Sequence, residues 1–143
     1  MNRVRKINDF DKLVQVNNND NKDSIILEAL KCLDIFSDAF EHEDLKAMDD
    51  CCHFPHYIFS GNEVVVWNTK GQINNDFFDN LKNMGFKKTV VTMRKPILVS
   101  QEKVHFLYSY NRVDINDKIM SSHDNMWILT KIDGKWGIQV RSY

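Results

Sequence analysis

The chain has 143 residues, enough for one compact domain with a core of its own. It is 43% hydrophobic and 27% charged with a net charge of -1, an ordinary globular balance that gives no sequence-independent pull on nucleic acid or anionic lipid. The short basic clusters Arg3-Arg5-Lys6, Lys87-Lys88 and Arg94-Lys95 read as solvated surface. No apolar run approaches the ~20 residues of a membrane helix. "MNRVRKINDFDK" alternates charges with single hydrophobes and lacks the apolar centre of a signal peptide. The three cysteines, an odd number, argue against a disulfide framework. The expectation is a cytoplasmic chain with no nucleic-acid partner and no membrane contact.

Residues 1–22 stand apart as an N-terminal arm or extra helix. Val4, Ile7, Phe10 and Val14 recur at roughly helical spacing before the polar loop "NNNDNK". From residue 23 to 143 the pattern predicts a single domain. Asp23 or Ser24 is placed to cap a helix whose apolar stripe is Ile26, Ala29, Leu30, Leu33, Phe36, Ala39 and Phe40. "HEDLKAMDDCC" predicts a shorter second helix with Leu45, Met48 and Cys52 on one face. "NNDFFDNLKNMGF" predicts a third, capped by Asn74 or Asn75, burying Phe77, Phe78 and Leu81, and ended by Gly85 in the left-handed conformation.

The remaining stretch changes character. "KTVVTMRKPILVS", "KVHFLYSYNRVDI", "KIMSSHDNMWILTKI" and "KWGIQVRSY" read as strands, and Asp133-Gly134 is a strong hairpin signal. Helices followed by a meander of long strands predict an α+β domain with its helices on one face of an antiparallel sheet. Val104, Phe106, Tyr108 and Tyr110 alternate with Leu107, and Met126 and Ile128 alternate with Trp127 and Leu129. Both faces of the sheet are thus apolar. The helices cover one, so a second copy is expected on the other, giving a homodimer through the sheet.

In this order of elements, "HFPHYIFSGNEVVVW", "EKVHFLYSYNR" and "DGKWGIQVRSY" are similar to the nuclear transport factor 2-like superfamily, the fold of ketosteroid isomerases and polyketide cyclases. The resemblance runs from about Asp23 to Tyr143, and within the superfamily it is to a branch of small bacterial proteins. It implies a cystatin-like cone, a curved antiparallel sheet wrapped on about three N-terminal helices. It also implies an apolar pocket at the open end, and usually a dimer. It does not imply a reaction, because the fold hosts enzymes and non-enzymes. Where those isomerases place a proton-shuttling aspartate before a proline, this chain carries Phe54, which holds no proton.

"CCHFPH" has the residue types of a metal site. Adjacent cysteines at a helix end diverge by roughly 100°, however, and no second Cys/His cluster follows, because His105 and His123 stand alone on strands. No metal and no cofactor are therefore expected. Cys52 reads as a buried hydrophobe, Pro55 as the end of the helix, and Phe54 as a core plug. His53 and His56 are candidates for general acid/base work, since imidazole titrates near neutrality, with Tyr57, Arg112 and Asp124 as candidate partners. A hydrogen-bonded structural role competes with that reading. Arg112, on the face of Tyr108 and Tyr110, is placed to hold an oxyanion or carbonyl at a pocket rim, unless it pairs with Asp114 or Asp117. Arg141 is out of phase with Trp136, Ile138 and Val140, which predicts that it reaches the convex face. Tyr57, Trp67, Tyr108 and Trp127 are candidate ligand contacts.

No phosphate-binding glycine loop, serine nucleophile elbow or helical zinc motif is present. The functional expectation is a pocket protein for a small, mainly apolar or carbonyl-containing molecule. The alternatives are a cofactor-free lyase, isomerase or cyclase using His53 or His56 with Arg112, and a structural dimer with a side-chain-filled cone.

Overall fold

The structure, a computed structural model, describes residues 21–143, so the expected N-terminal helix through Val4, Ile7, Phe10 and Val14 lies outside the described residues. The order is α1 (Lys22–Glu41), α2 (Leu45–Asp50), β1 (Cys52–Ser60), β2 (Glu63–Trp67), α3 (Asp76–Asn83), β3 (Phe86–Ser100), β4 (Lys103–Asp114), β5 (Ile119–Ile132) and β6 (Lys135–Ser142). This is the expected α+β arrangement.

The stripe of α1 forms because Ile25, Ala29, Leu33, Phe36 and Ala39 recur every three to four residues, and all of them are buried. Its first buried residue is Ile25, four residues before Ala29 on the same face, while the expected Ile26 is half-buried at the edge of the stripe. α2 is capped by Asp44, whose carboxylate accepts from the Ala47 amide at 3.0 Å. α2 ends at Asp50 and Cys52 already opens β1, so Pro55 lies inside a strand and does not end the helix. α3 buries Phe78 and Leu81 and follows Asn75, while Asn74 Oδ1 accepts from the Asp76 amide.

The six strands form one sheet in the order β2-β1-β6-β5-β4-β3. β3 to β6 are an antiparallel meander, β1 pairs antiparallel with β2, and β1 runs parallel to β6. Asp133 and Gly134 turn β5 into β6 with φ of 52° and 81°, the left-handed pair that a tight hairpin requires and glycine adopts without strain.

One face of the sheet meets the helices. Val104, Phe106, Tyr108, Trp127, Leu129 and Ile138 are buried there against Leu33 and Phe36. Phe36 meets Trp127 edge-on at 5.6 Å, and Phe40 meets Phe78 at 5.2 Å. The register of β6 breaks between the Leu129–Ile138 and Ile128–Val140 pairs, so two β6 steps answer one β5 step. This bulge leaves Val140 on the outer face and returns Arg141, opposite Trp127, to the inner one.

Candidate functional site

At one end of the sheet the helices leave a cavity of about 1000 Å³. Its walls are aromatic: Phe36, Phe40, Trp67, Tyr108, Tyr110 and Trp127 all line it. Tyr108 and Trp127, neighbours across β4 and β5, stack at 4.2 Å with their planes 6° apart. Strand alternation explains the convergence, because Tyr108, Tyr110 and Arg112 share one face of β4 and meet His123 from β5. Exposed Lys82, Lys87 and Lys88 lie among the lining residues with exposed Glu41, Glu43 and Asp76, and Lys82 pairs with Glu43 at 2.8 Å.

Arg141 is the polar centre of this cavity. It is 9% exposed, lines the space, and does not reach the convex face as its sequence phase suggests, because the β6 bulge reverses the alternation. Its Nε donates to His56 Nε2 at 3.0 Å, and Nη1 donates to the Tyr143 hydroxyl at 3.2 Å. Its guanidinium carbon lies 5.5 Å from the Trp67 ring and 5.9 Å from that of Trp127. Among the described residues no ion pair involves Arg141 or Arg112.

His56 is fully buried and does not line the cavity. Its Nδ1 hydrogen-bonds the Ile138 carbonyl at 2.9 Å, so that nitrogen carries the proton and Nε2 is free to accept from Arg141. Burial, reinforced by the neighbouring Arg141 cation, pushes the His56 imidazole down to about 4. It is a neutral strut behind the arginine, stacked on Trp67 at 5.7 Å. With both nitrogens committed, it has no proton to offer a ligand.

His53 lies away from the cavity as well. Its Nδ1 is 2.9 Å from the Thr130 hydroxyl, and its ring lies over Gly137. Tyr57 pairs with Val140 and Val66 on the outer face and is not a cavity residue. Asp124 is also outward, accepting from Ser109 at 2.7 Å. Trp67, Tyr108, Trp127 and Arg112 do line the cavity. The suspected "CCHFPH" cluster is dispersed: Cys51 is buried, Cys52 is half-buried in β1, and His53 and His56 bond different strands. Among the described residues no group of His, Cys, Asp or Glu converges with metal-holding geometry.

The structure adds His123, Arg141 and Tyr143 to the cavity. The His123 ring stacks on Tyr110 at 4.8 Å, and its Nε2 is 2.9 Å from the Ser121 hydroxyl. Burial and the Arg112 cation lower its basicity. Burial and Tyr143 push the Tyr110 phenol up, against the pull of Arg112 and Arg141. The β4–β5 pairing of Tyr110 with His123 is the signal that would have found this histidine.

No protein-family profile and no curated protein matches this chain. Solved structures do. A protein of unknown function with a cystatin-like fold from Nostoc punctiforme superposes with a TM-score of 0.62 at 16% identity, covering 82% of this chain and 87% of that one. An NTF-2 like protein of unknown function from Shewanella oneidensis gives 0.57 at 13% identity, over 82% and 96%. The association domain of CaMKII from C. elegans gives 0.57 at 14% identity, over 87% and 98%. The strand order, the helices on one face and these superpositions agree that the chain has the nuclear transport factor 2-like, cystatin-like cone fold.

Proposed function

We propose that this protein binds a small, mainly apolar molecule inside its cone. The observation that carries this reading is the cavity of about 1000 Å³ at the end of the sheet, with Phe36, Phe40, Tyr108 and Trp127 among its walls. A cone filled by its own side chains would leave no such volume. The test is a fluorescence titration with N-phenyl-1-naphthylamine, a neutral apolar dye. Saturable binding near one dye per chain is expected, and no saturation up to the solubility of the dye would contradict the reading.

A second reading, a cofactor-free lyase, isomerase or cyclase, is favoured by one observation. His123 and Arg112 line the same cavity, which offers an imidazole and a guanidinium to a bound carbonyl. In that reading the acid/base role expected of His53 or His56 passes to His123. Turnover of a bound carbonyl compound by the wild type, lost in a His123→Gln variant that still binds the dye, would support this reading, and turnover undiminished in that variant would contradict it.

The protein acts as a homodimer through the outer face of its sheet. Half-buried Tyr57, Leu107, Met126, Ile128 and Val140 form an apolar strip there with exposed Met93 and Leu98, and no helix among the described residues covers it. The likeness to an association domain supports this assembly. Among the described residues no helix is long and apolar enough to cross a membrane, and a cytoplasmic location is part of the same proposal.

A further inference from the structure

We propose that the ligand of this cavity carries a carboxylate, seated end-on against the guanidinium of Arg141, with its apolar body against the Tyr108–Trp127 stack. The inference rests on the reading of the cone as a ligand site and names the chemistry of its occupant.

A guanidinium has five N–H donors, and this one uses two of them on protein, Nε on His56 and Nη1 on Tyr143. The remaining N–H groups lie at the Nη1/Nη2 end, the edge that matches the two oxygens of a carboxylate. The group is held rigidly, because His56 fixes Nε from behind while the rings of Trp67 and Trp127 flank the plane. A cation in a largely apolar wall ordinarily has a carboxylate beside it, and among the described residues Arg141 has none.

The rest of the cavity repeats the imbalance. Arg112 Nε and Trp127 Nε1 are buried donors without an acceptor among the described residues. The carboxylates Glu41, Glu43 and Asp76 that line the space belong to exposed residues, so they do not neutralise its floor. The buried and half-buried part of the lining therefore carries the cations Arg141 and Arg112 and, among the described residues, no carboxylate. A phosphate dianion is a poorer match than a carboxylate, since the chain has no glycine loop to supply backbone N–H groups around it. His56 is a positioning residue here, and Arg141 is the group that touches the ligand.

The test displaces N-phenyl-1-naphthylamine from the full chain with 2-naphthoate, with the isosteric 2-naphthamide, and with 2-naphthyl phosphate. In the wild-type protein naphthoate should displace the dye at least about tenfold more tightly than naphthamide, the scale of a charge-assisted bidentate contact. In Arg141→Gln that preference should vanish while the dye still binds. If Arg141→Gln does not fold, Arg141→Lys keeps a cation but loses the planar edge, and the preference should shrink severalfold. Equal displacement by acid and amide would overturn the proposal while leaving the apolar site standing. A preference undiminished in the folded variant would also overturn it by placing the anion elsewhere, and stronger displacement by the phosphate would overturn the choice of carboxylate. Failure of the dye itself to bind would overturn the ligand-site reading and this proposal with it.

Discussion

His56 shows how far chemistry can be read from residue type alone. An imidazole beside a proline suggested acid/base work, but its two nitrogens are spent on the Ile138 carbonyl and on Arg141. Its depressed basicity has a consequence for stability. The folded chain takes up this proton only at about pH 4, whereas the ordinary value is 6.5. Between those values the unfolded chain holds more protons, so stability is fully present above pH 6.5 and is lost as the pH falls toward 4. The loss amounts to roughly 3 kcal/mol. Urea unfolding of the wild type at pH 7.5, 6.0 and 4.5, beside His56→Gln, should show a steeper acid loss in the wild type. Parallel curves would contradict the neutral-strut account. Replacing His56 by Ala should cost about 1–3 kcal/mol by orphaning its buried partners. Melting curves of that variant test this, and an unchanged midpoint would defeat it. The partners themselves were invisible in sequence, because they come from β6, more than eighty residues away.

At the scale of elements, the helices and strands were legible from periodicity, and the exceptions have local causes. The stripe on α1 is expected to start at Ile26, three residues before Ala29; the buried face instead takes Ile25, four residues before it, and leaves Ile26 half-buried at its edge. Pro55 reads as a helix stop, yet β1 accommodates it because no ladder pair falls there: the pairing with β2 begins at His56 and the register with β6 shifts between Cys52 and Tyr57. Strand alternation puts Tyr108 and Arg112 on one face of β4, and that face borders the cavity. It misplaced Arg141, because a one-residue bulge reverses every side chain after it and leaves no mark in composition. The same strand packs closely at Gly137, where a Cβ would come within 2.6 Å of the His53 ring. His53 is tethered at Thr130 and cannot swing aside freely. Gly137→Ala should therefore destabilise the fold by about 1–3 kcal/mol. Chemical denaturation decides this, and a neutral result would show that the β1–β6 contact is slack. On α1, Leu33 is fully enclosed in the core. Leu33→Ala should cost about 2–5 kcal/mol by the same measurement, and a loss below 1 kcal/mol would mean that the helix does not seat as described.

For the whole molecule, two apolar sheet faces and one set of helices were enough to expect both the cone and its dimer. The cone follows from pattern, because each face of each strand declares its apolarity. The cavity does not, since its volume depends on how far α1 and α3 stand off the sheet, and no residue spacing encodes that distance. Sedimentation at micromolar concentration should give twice the 16.9 kDa chain mass; a stable monomer would leave the outer strip of Tyr57, Leu107 and Ile128 for another partner. The claim on which the functional account turns is that ligand enters the cone. Nuclear Overhauser contacts from bound N-phenyl-1-naphthylamine test it most directly. The account predicts contacts to the Trp127 indole and the Tyr108 ring. Contacts confined to outer-face residues such as Phe59, Val64 and Val66 would contradict it.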